Sequence, residues 1–183
     1  MSNLAGLVDT TLSKETESES MELVPYSVPV TAYPTCSGLI IVNSPGSGEL
    51  KDGRENRWKN LGNHLQERGL ATLVTYNAPR PDFRVKLEWE PYSYRGASWN
   101  KLLIESLSHT IDWALENAEQ LCGNGSPVVY LTGFSSGGSA VGAVAHRYPD
   151  VKRLLLLSTY DSVGDLFYEG MANFNGDIYL LYG

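Results

Sequence analysis

The chain has 183 residues, 42% of them hydrophobic and 19% charged, which is ordinary globular usage: enough for one domain with its own core and too little for two. A formal net charge of −7, with no run of Lys and Arg to offset it, argues against nucleic acid or an anionic membrane as the main partner. Cys36 and Cys122 form neither a disulfide framework nor a metal-ligand spacing, no apolar run approaches the ~20 residues of a membrane span, and no basic-then-apolar leader opens the chain, so a cytoplasmic protein without metal or cofactor is expected.

Residues 1–21 are rich in Ser, Thr and Glu, contain no aromatic residue and show no sustained apolar period. They are expected to form a flexible acidic tail ahead of a single domain over residues 22–183. Leu23 to Val30 carries β-type residues interrupted by Pro25 and Pro29, which suits an edge strand or an extended lead-in. Leu39-Ile40-Ile41-Val42 predicts a strand buried on both faces, followed by the turn Asn43-Ser44-Pro45-Gly46-Ser47-Gly48. Trp58, Leu61 and Leu65 recur at helical spacing between Asn56 and Arg68, and Gly69 is placed to stop that helix. Ala71 to Tyr76 predicts the next strand.

The stretch from Asn77 through Tyr92 and Tyr94 reads as a long loop, and Ser98 as the cap of a helix whose inner stripe is Leu103, Leu107, Ile111, Ala114 and Leu115, ended by Gly123-Asn124-Gly125. A strand over Val128 to Thr132, a small-residue helix over Ser136 to Tyr148, and strands over Arg153 to Ser158 and Ile178 to Tyr182 follow. Strands alternating with helices of this length build parallel βαβ units with right-handed crossovers. The fold class expected is α/β: a three-layer α/β/α domain around an open, doubly wound, mostly parallel sheet.

Gly133-Phe134-Ser135-Ser136-Gly137 is a GxSxG pentapeptide standing directly after a buried strand and directly before a helix. A serine on so sharp a turn is forced into strained backbone geometry, and the positions two before and two after must be tiny to let the backbones pass, which Gly133 and Gly137 satisfy. The helix start also aims free N–H groups and its positive dipole end at that serine. The bland alternative is a Ser/Gly turn that caps a helix. A phosphate-cradling loop is a weaker reading still, because neither GxxxxGK[ST] nor GxGxxG occurs at this turn or after Val42.

On this motif and on the order of elements from about Leu39 to Gly183, the chain resembles the α/β-hydrolase superfamily, in the style of the small esterases, lipases and dienelactone hydrolases. The resemblance implies Ser135 as nucleophile, activated by a histidine that an acid orients, with the oxyanion held by two backbone N–H groups. Ser136 N–H would be one. The other would come from the stretch Ser44 to Ser47, as Ser44 or Gly46, Pro45 having no N–H. In the family the acid follows the strand written here as Ile178 to Tyr182, and the histidine follows one further strand. The chain reads as either a fragment of a longer frame or a hydrolase-like domain without its full triad.

His146 stands eleven residues beyond Ser135, roughly 16 Å along one helix at ~1.5 Å per residue, and His64 and His109 lie on helices flanking the sheet. All three read as structural or surface residues. Asp161, just after the strand Arg153 to Ser158, is the acid candidate, with Asp165 behind it. The expected function is hydrolysis of a small carboxylic ester or related acyl substrate through an acyl-enzyme on Ser135. A binding or scaffold module that kept the fold and lost the reaction is the alternative, and acyl transfer or thioester cleavage would use the same elbow. Trp89, Tyr92, Tyr94 and Trp99, with Phe167, Tyr168, Met171 and Phe174, suit an apolar acyl pocket or core and cap packing equally. An unpaired final strand bearing Ile178, Leu180 and Leu181 would invite self-association.

Overall fold

The computed structural model describes residues 6–17, 23–47, 49–78 and 92–182. Among these, seven strands form one sheet: β1 (Val8–Glu17), β2 (Leu23–Tyr33), β3 (Leu39–Ser44), β4 (Thr72–Tyr76), β5 (Val128–Phe134), β6 (Val151–Leu157) and β7 (Asp177–Leu181), in the order β1-β2-β4-β3-β5-β6-β7. From β4 to β7 every pairing is parallel, while β2 joins β4 and β1 joins β2 antiparallel. The helices are α1 (Arg57–Glu67), α2 (Tyr92–Glu116), α3 (Ala118–Cys122), α4 (Ser136–Val144) and α5 (Asp165–Asn173). This is the α/β class with a mostly parallel, doubly wound sheet that the sequence implies.

Winding direction decides which face each helix covers. The chain steps from β3 to β4, then crosses back over β3 to β5 and continues outward to β6 and β7. Right-handed crossovers put α1 on one face and α2, α4 and α5 on the other; α4 accordingly packs against both α2 and α5, whereas α1 packs against β2 and β4. The second face holds the main core, with Val42, Leu103, Leu107, Ile111, Leu131, Val141, Leu154 and Leu156 all buried. On the α1 face an open apolar trough of about 360 Å³ runs between Trp58, Leu61 and Leu65 of α1 and Tyr130, Leu155, Leu157 and Tyr179 of the sheet.

Several expectations need correction. The tail read over residues 1–21 is not loose throughout: Val8–Glu17 forms β1 and pairs with β2 along its whole length. Val8, Thr10, Leu12, Lys14 and Thr16 are the less exposed positions and alternate with exposed residues. With only Val8 and Leu12 apolar among them, that period of two is too faint to stand out from an acidic, hydroxyl-rich stretch. Lys51 pins the strand from outside by an ion pair of 2.7 Å to Asp9, which also bonds Thr31. Residues 1–5 and 18–22 lie outside the described residues.

β2 is not an edge strand, since β1 covers its outer side. Its prolines survive because they face where β4 has ended. β4 pairs only with Val30 to Tyr33, and the Pro29 carbonyl accepts from the Asn77 N–H (2.9 Å), so the nitrogen of Pro29, and that of Pro25 four residues earlier, points beyond β4's reach. α2 begins at Tyr92, which leaves Ser98 inside the helix and not at its cap. Helix α5 was not anticipated; its Phe167 and Met171, followed by Phe174, pack against the core, and a Cβ on Gly142 of α4 would meet the Phe167 ring at 2.5 Å. Those residues are core packing, whereas Tyr168 is exposed. The loop aromatic Trp89 and the side chains of Tyr92, Tyr94 and Trp99 lie outside what is described.

Candidate active site

Ser135 is the single residue between the end of β5 and the start of α4, with φ 54° and ψ −123°. A positive φ in that range is costly for any residue with a Cβ, by about 1 to 3 kcal/mol, and persists only where the surroundings enforce it. Here both sides of the bend are tied. Ser135 N–H donates to the Leu157 carbonyl at the end of β6 (2.9 Å), and its own carbonyl accepts from Gly138 N–H (3.0 Å) and Ser139 N–H (3.4 Å). Ser139 Oγ in turn accepts from Val163 N–H (3.1 Å), fastening α4 to the turn after β6.

The two motif glycines are needed for room. A Cβ on Gly133 would lie 2.5 Å from both Cα and N of Gly138. One on Gly137 would run into the Ser44 carbonyl and lie 2.5 Å from the Pro45 oxygen. The turn after β3 is thus pressed against the elbow, and a Cβ on Gly46 would meet the Phe134 ring at 2.7 Å. Ser135 stays half-buried, while Ser136 and the rest of α4 are buried. Ser136 N–H opens the helix, where amides have no intrahelical acceptor.

Ser44 is the last residue of β3, paired in register with Gly133, and its buried hydroxyl bonds the Tyr76 hydroxyl at 2.8 Å. Burial pushes the Tyr76 phenol up, and the bond to Ser44 only partly offsets that, so Tyr76 remains protonated. Gly46 N–H donates to Glu49 Oε2 at 3.3 Å. Glu49 collects further donors: Arg54 N–H (3.1 Å), Trp58 Nε1–H (3.2 Å) and the Arg57 guanidinium at 2.6 Å. Burial pushes the Glu49 carboxyl up; the bonds from Arg57, Arg54 and Trp58 and the charge of Arg57 outweigh it and hold the group below the usual carboxylate range. Arg57 lies 4.1 Å from the Phe134 ring centroid and 4.6 Å from that of Trp58. Beside Phe134, a cavity of about 500 Å³ is lined also by Ser47, Leu50 and Arg54.

The three histidines are dispersed. His64 is exposed in the last turn of α1. His109 faces the Tyr26 ring, and burial, with Lys14 adding to it, pulls its imidazole below the ordinary value. His146 lines a small cavity with Pro149 and Val151, at the amino end of β6, the opposite sheet edge from the elbow. Asp161 follows β6 at the elbow's edge of the sheet, exposed and bonded by the Tyr168 hydroxyl at 2.9 Å; Asp165 is exposed in the first turn of α5. Sequence reasoning missed Glu49, Arg57 and Tyr76, whose partners are brought together by turns that no local pattern announces. Among the described residues no cluster of His, Cys, Asp or Glu could hold a metal ion, and no helix is long and apolar enough to cross a membrane.

Neither a family model nor a curated protein matches the sequence. Solved structures do resemble the fold. A dienelactone hydrolase from Anabaena variabilis ATCC 29413 aligns at TM-score 0.56 with 15% identity, over 96% of this chain and 86% of that one. A lipase/esterase from Lactobacillus plantarum aligns at 0.53 with 14% identity, over 95% and 92%. The alpha/beta hydrolase GrgF from Penicillium sp. sh18 aligns at 0.52 with 18% identity over 82% of this chain, which spans only 46% of the GrgF chain. The architecture these share with the chain defines it as an α/β-hydrolase fold, the superfamily its elbow motif resembles.

Proposed function

We propose that the protein is a hydrolase of small carboxylic esters or related acyl compounds, with Ser135 as nucleophile. The observation that carries this reading is the strained backbone of Ser135 (φ 54°, ψ −123°) between a buried strand and a helix start, with no room for side chains at Gly133 and Gly137. Strain of that kind, held from both sides, lifts one hydroxyl out of the sheet edge. Ser135 Oγ attacks the ester carbonyl, the alcohol leaves with a proton, and water then releases the acid from the acyl-enzyme. Ser136 N–H and a second amide, for which Gly46 suits better than the strand-bound Ser44, meet the oxyanion; losing one such donor costs about 10² to 10³ in kcat.

Asp161 is the acid in this reading, and the base comes from none of His64, His109 and His146 as placed. A fluorophosphonate probe should label the protein at Ser135 and leave Ser135→Ala unlabelled. Absence of label on the protein, or undiminished label on Ser135→Ala, overturns the assignment. The dispersed histidines favour a second reading, a small-ligand binding module that retains the elbow without turnover. It predicts ester binding by calorimetry with no product formed.

A further inference from the structure

The elbow is held by strands and a helix, but the loop beside it is neither strand nor helix at its described residues, 45–47 and 49–53. Such a segment keeps its shape through its hydrogen bonds. Lys51 ties its middle to Asn77 and Thr75, and one further side chain joins its two ends. Glu49, its side chain 11% exposed, accepts from Gly46 N–H at the start of the loop, from Arg54 N–H just past its end, and from the Trp58 indole in the first turn of α1. Its own N–H donates back to the Gly46 carbonyl at 3.0 Å.

Glu49 also reaches the elbow by a second route. Its ion pair fixes Arg57, and the Arg57 guanidinium stacks on Phe134, the residue preceding Ser135. An ionised carboxylate this near a developing oxyanion would oppose it by repulsion, and the Arg57 charge neutralises that field. Among the bonds described at Glu49, that from Gly46 is the longest, at 3.3 Å against the usual ~2.9 to 3.0 Å. That amide is therefore the cheapest to hand over to a substrate oxygen while the other donors keep the carboxylate in place.

We propose that Glu49 is a positioning residue of the Ser135 site, holding the Gly46 amide beside the elbow directly and through Arg57 and Phe134. The inference rests on the acyl-transfer reading above. It is tested by kcat and KM for p-nitrophenyl acetate, and by the rate of fluorophosphonate labelling, in the protein and in Glu49→Ala, Glu49→Asp and Glu49→Gln. Misplacing a catalytic group by about 1 Å costs up to about 10² in rate, so Glu49→Ala should lose about 10- to 100-fold in kcat and in labelling, with KM changed less than about twofold. Glu49→Gln, which keeps an acceptor oxygen but leaves Arg57 unbalanced, should fall in between.

An unchanged kcat in Glu49→Ala, or a change confined to KM, overturns the inference. If Glu49→Ala fails to fold, the Gln and Asp variants decide: slower turnover at an unaltered unfolding midpoint supports the role, and wild-type turnover refutes it. Failure of the parent reading is distinct, because the unsubstituted protein would then take no label at Ser135, and the role of Glu49 would fall with it.

Discussion

The elbow, at the end of β5, and the margin formed by β7, the last strand in the sheet order, are opposites in packing. At the elbow, backbone approaches backbone so closely that Gly133 and Gly137 have no space for a methyl group, and the Thr159 side chain fills the space beside Gly138. At β7 all five residues are exposed, Leu181 at 62%, although the strand is as apolar as β5. β6 lies between and shows both conditions in alternate residues: Leu154 and Leu156 are fully buried on the face that α4 covers, whereas Leu155 is 39% exposed on the α1 face. Apolar sequence makes a strand, and what is packed on its faces decides how much stability the strand returns.

The sharpest way to break this contrast is to fill the elbow. Gly137→Ala should destabilise the protein by about 3 kcal/mol or more, because the added carbon meets carbonyl oxygens that cannot move aside, and fluorophosphonate labelling should vanish with it. A folded, labelled Gly137→Ala protein would mean that the elbow is looser than its geometry states. Next in size is the pair within β6. Leu156→Ala should cost about 2 to 5 kcal/mol in urea unfolding and Leu155→Ala within about 1 kcal/mol; equal losses would show that the α1 face is covered in solution.

A smaller effect is expected at the margin itself. Leu180→Lys should leave stability within about 0.5 kcal/mol and lower any concentration-dependent association seen by sedimentation velocity, because a charge on an open strand edge blocks strand addition. Smallest is Asp9→Asn, which removes the partner of Lys51 from a solvent-screened ion pair and should cost no more than about 0.5 kcal/mol. The hydrogen bond from Lys51, with that of Thr31 and against slight burial, holds the Asp9 carboxyl below its ordinary value. Its contribution is therefore complete above the usual carboxylate range and is lost as pH falls through the lowered value. Stability of Asp9→Asn should converge with that of the unsubstituted protein on acidification.

Much of this was legible in the residues. Leu39 to Val42, Val128 to Thr132 and the run of four leucines ending at Leu157 announce buried parallel strands through their length and branching, and GxSxG between a strand and a helix announces the elbow, because only glycine tolerates those approaches. The strand from Val8 was hidden because three of its five inward positions are threonine or lysine, and α5 because its apolar residues were few and close to an exposed tyrosine. Glu49 was invisible for another reason: its donors sit at Gly46, Arg54, Arg57 and Trp58, a spacing without period, and they converge only when the loop folds around the carboxylate.

Local chemistry, then, determined which segments are strands, which are helices, and where a serine is forced into a bend, since those depend on side-chain branching, glycine spacing and apolar period over a few residues. Tertiary structure alone decided that β1 pairs with β2 and that one sheet face is packed while the other stays open beside α1. Those outcomes depend on winding order and on contacts between residues tens of positions apart, and no periodicity within a segment encodes them.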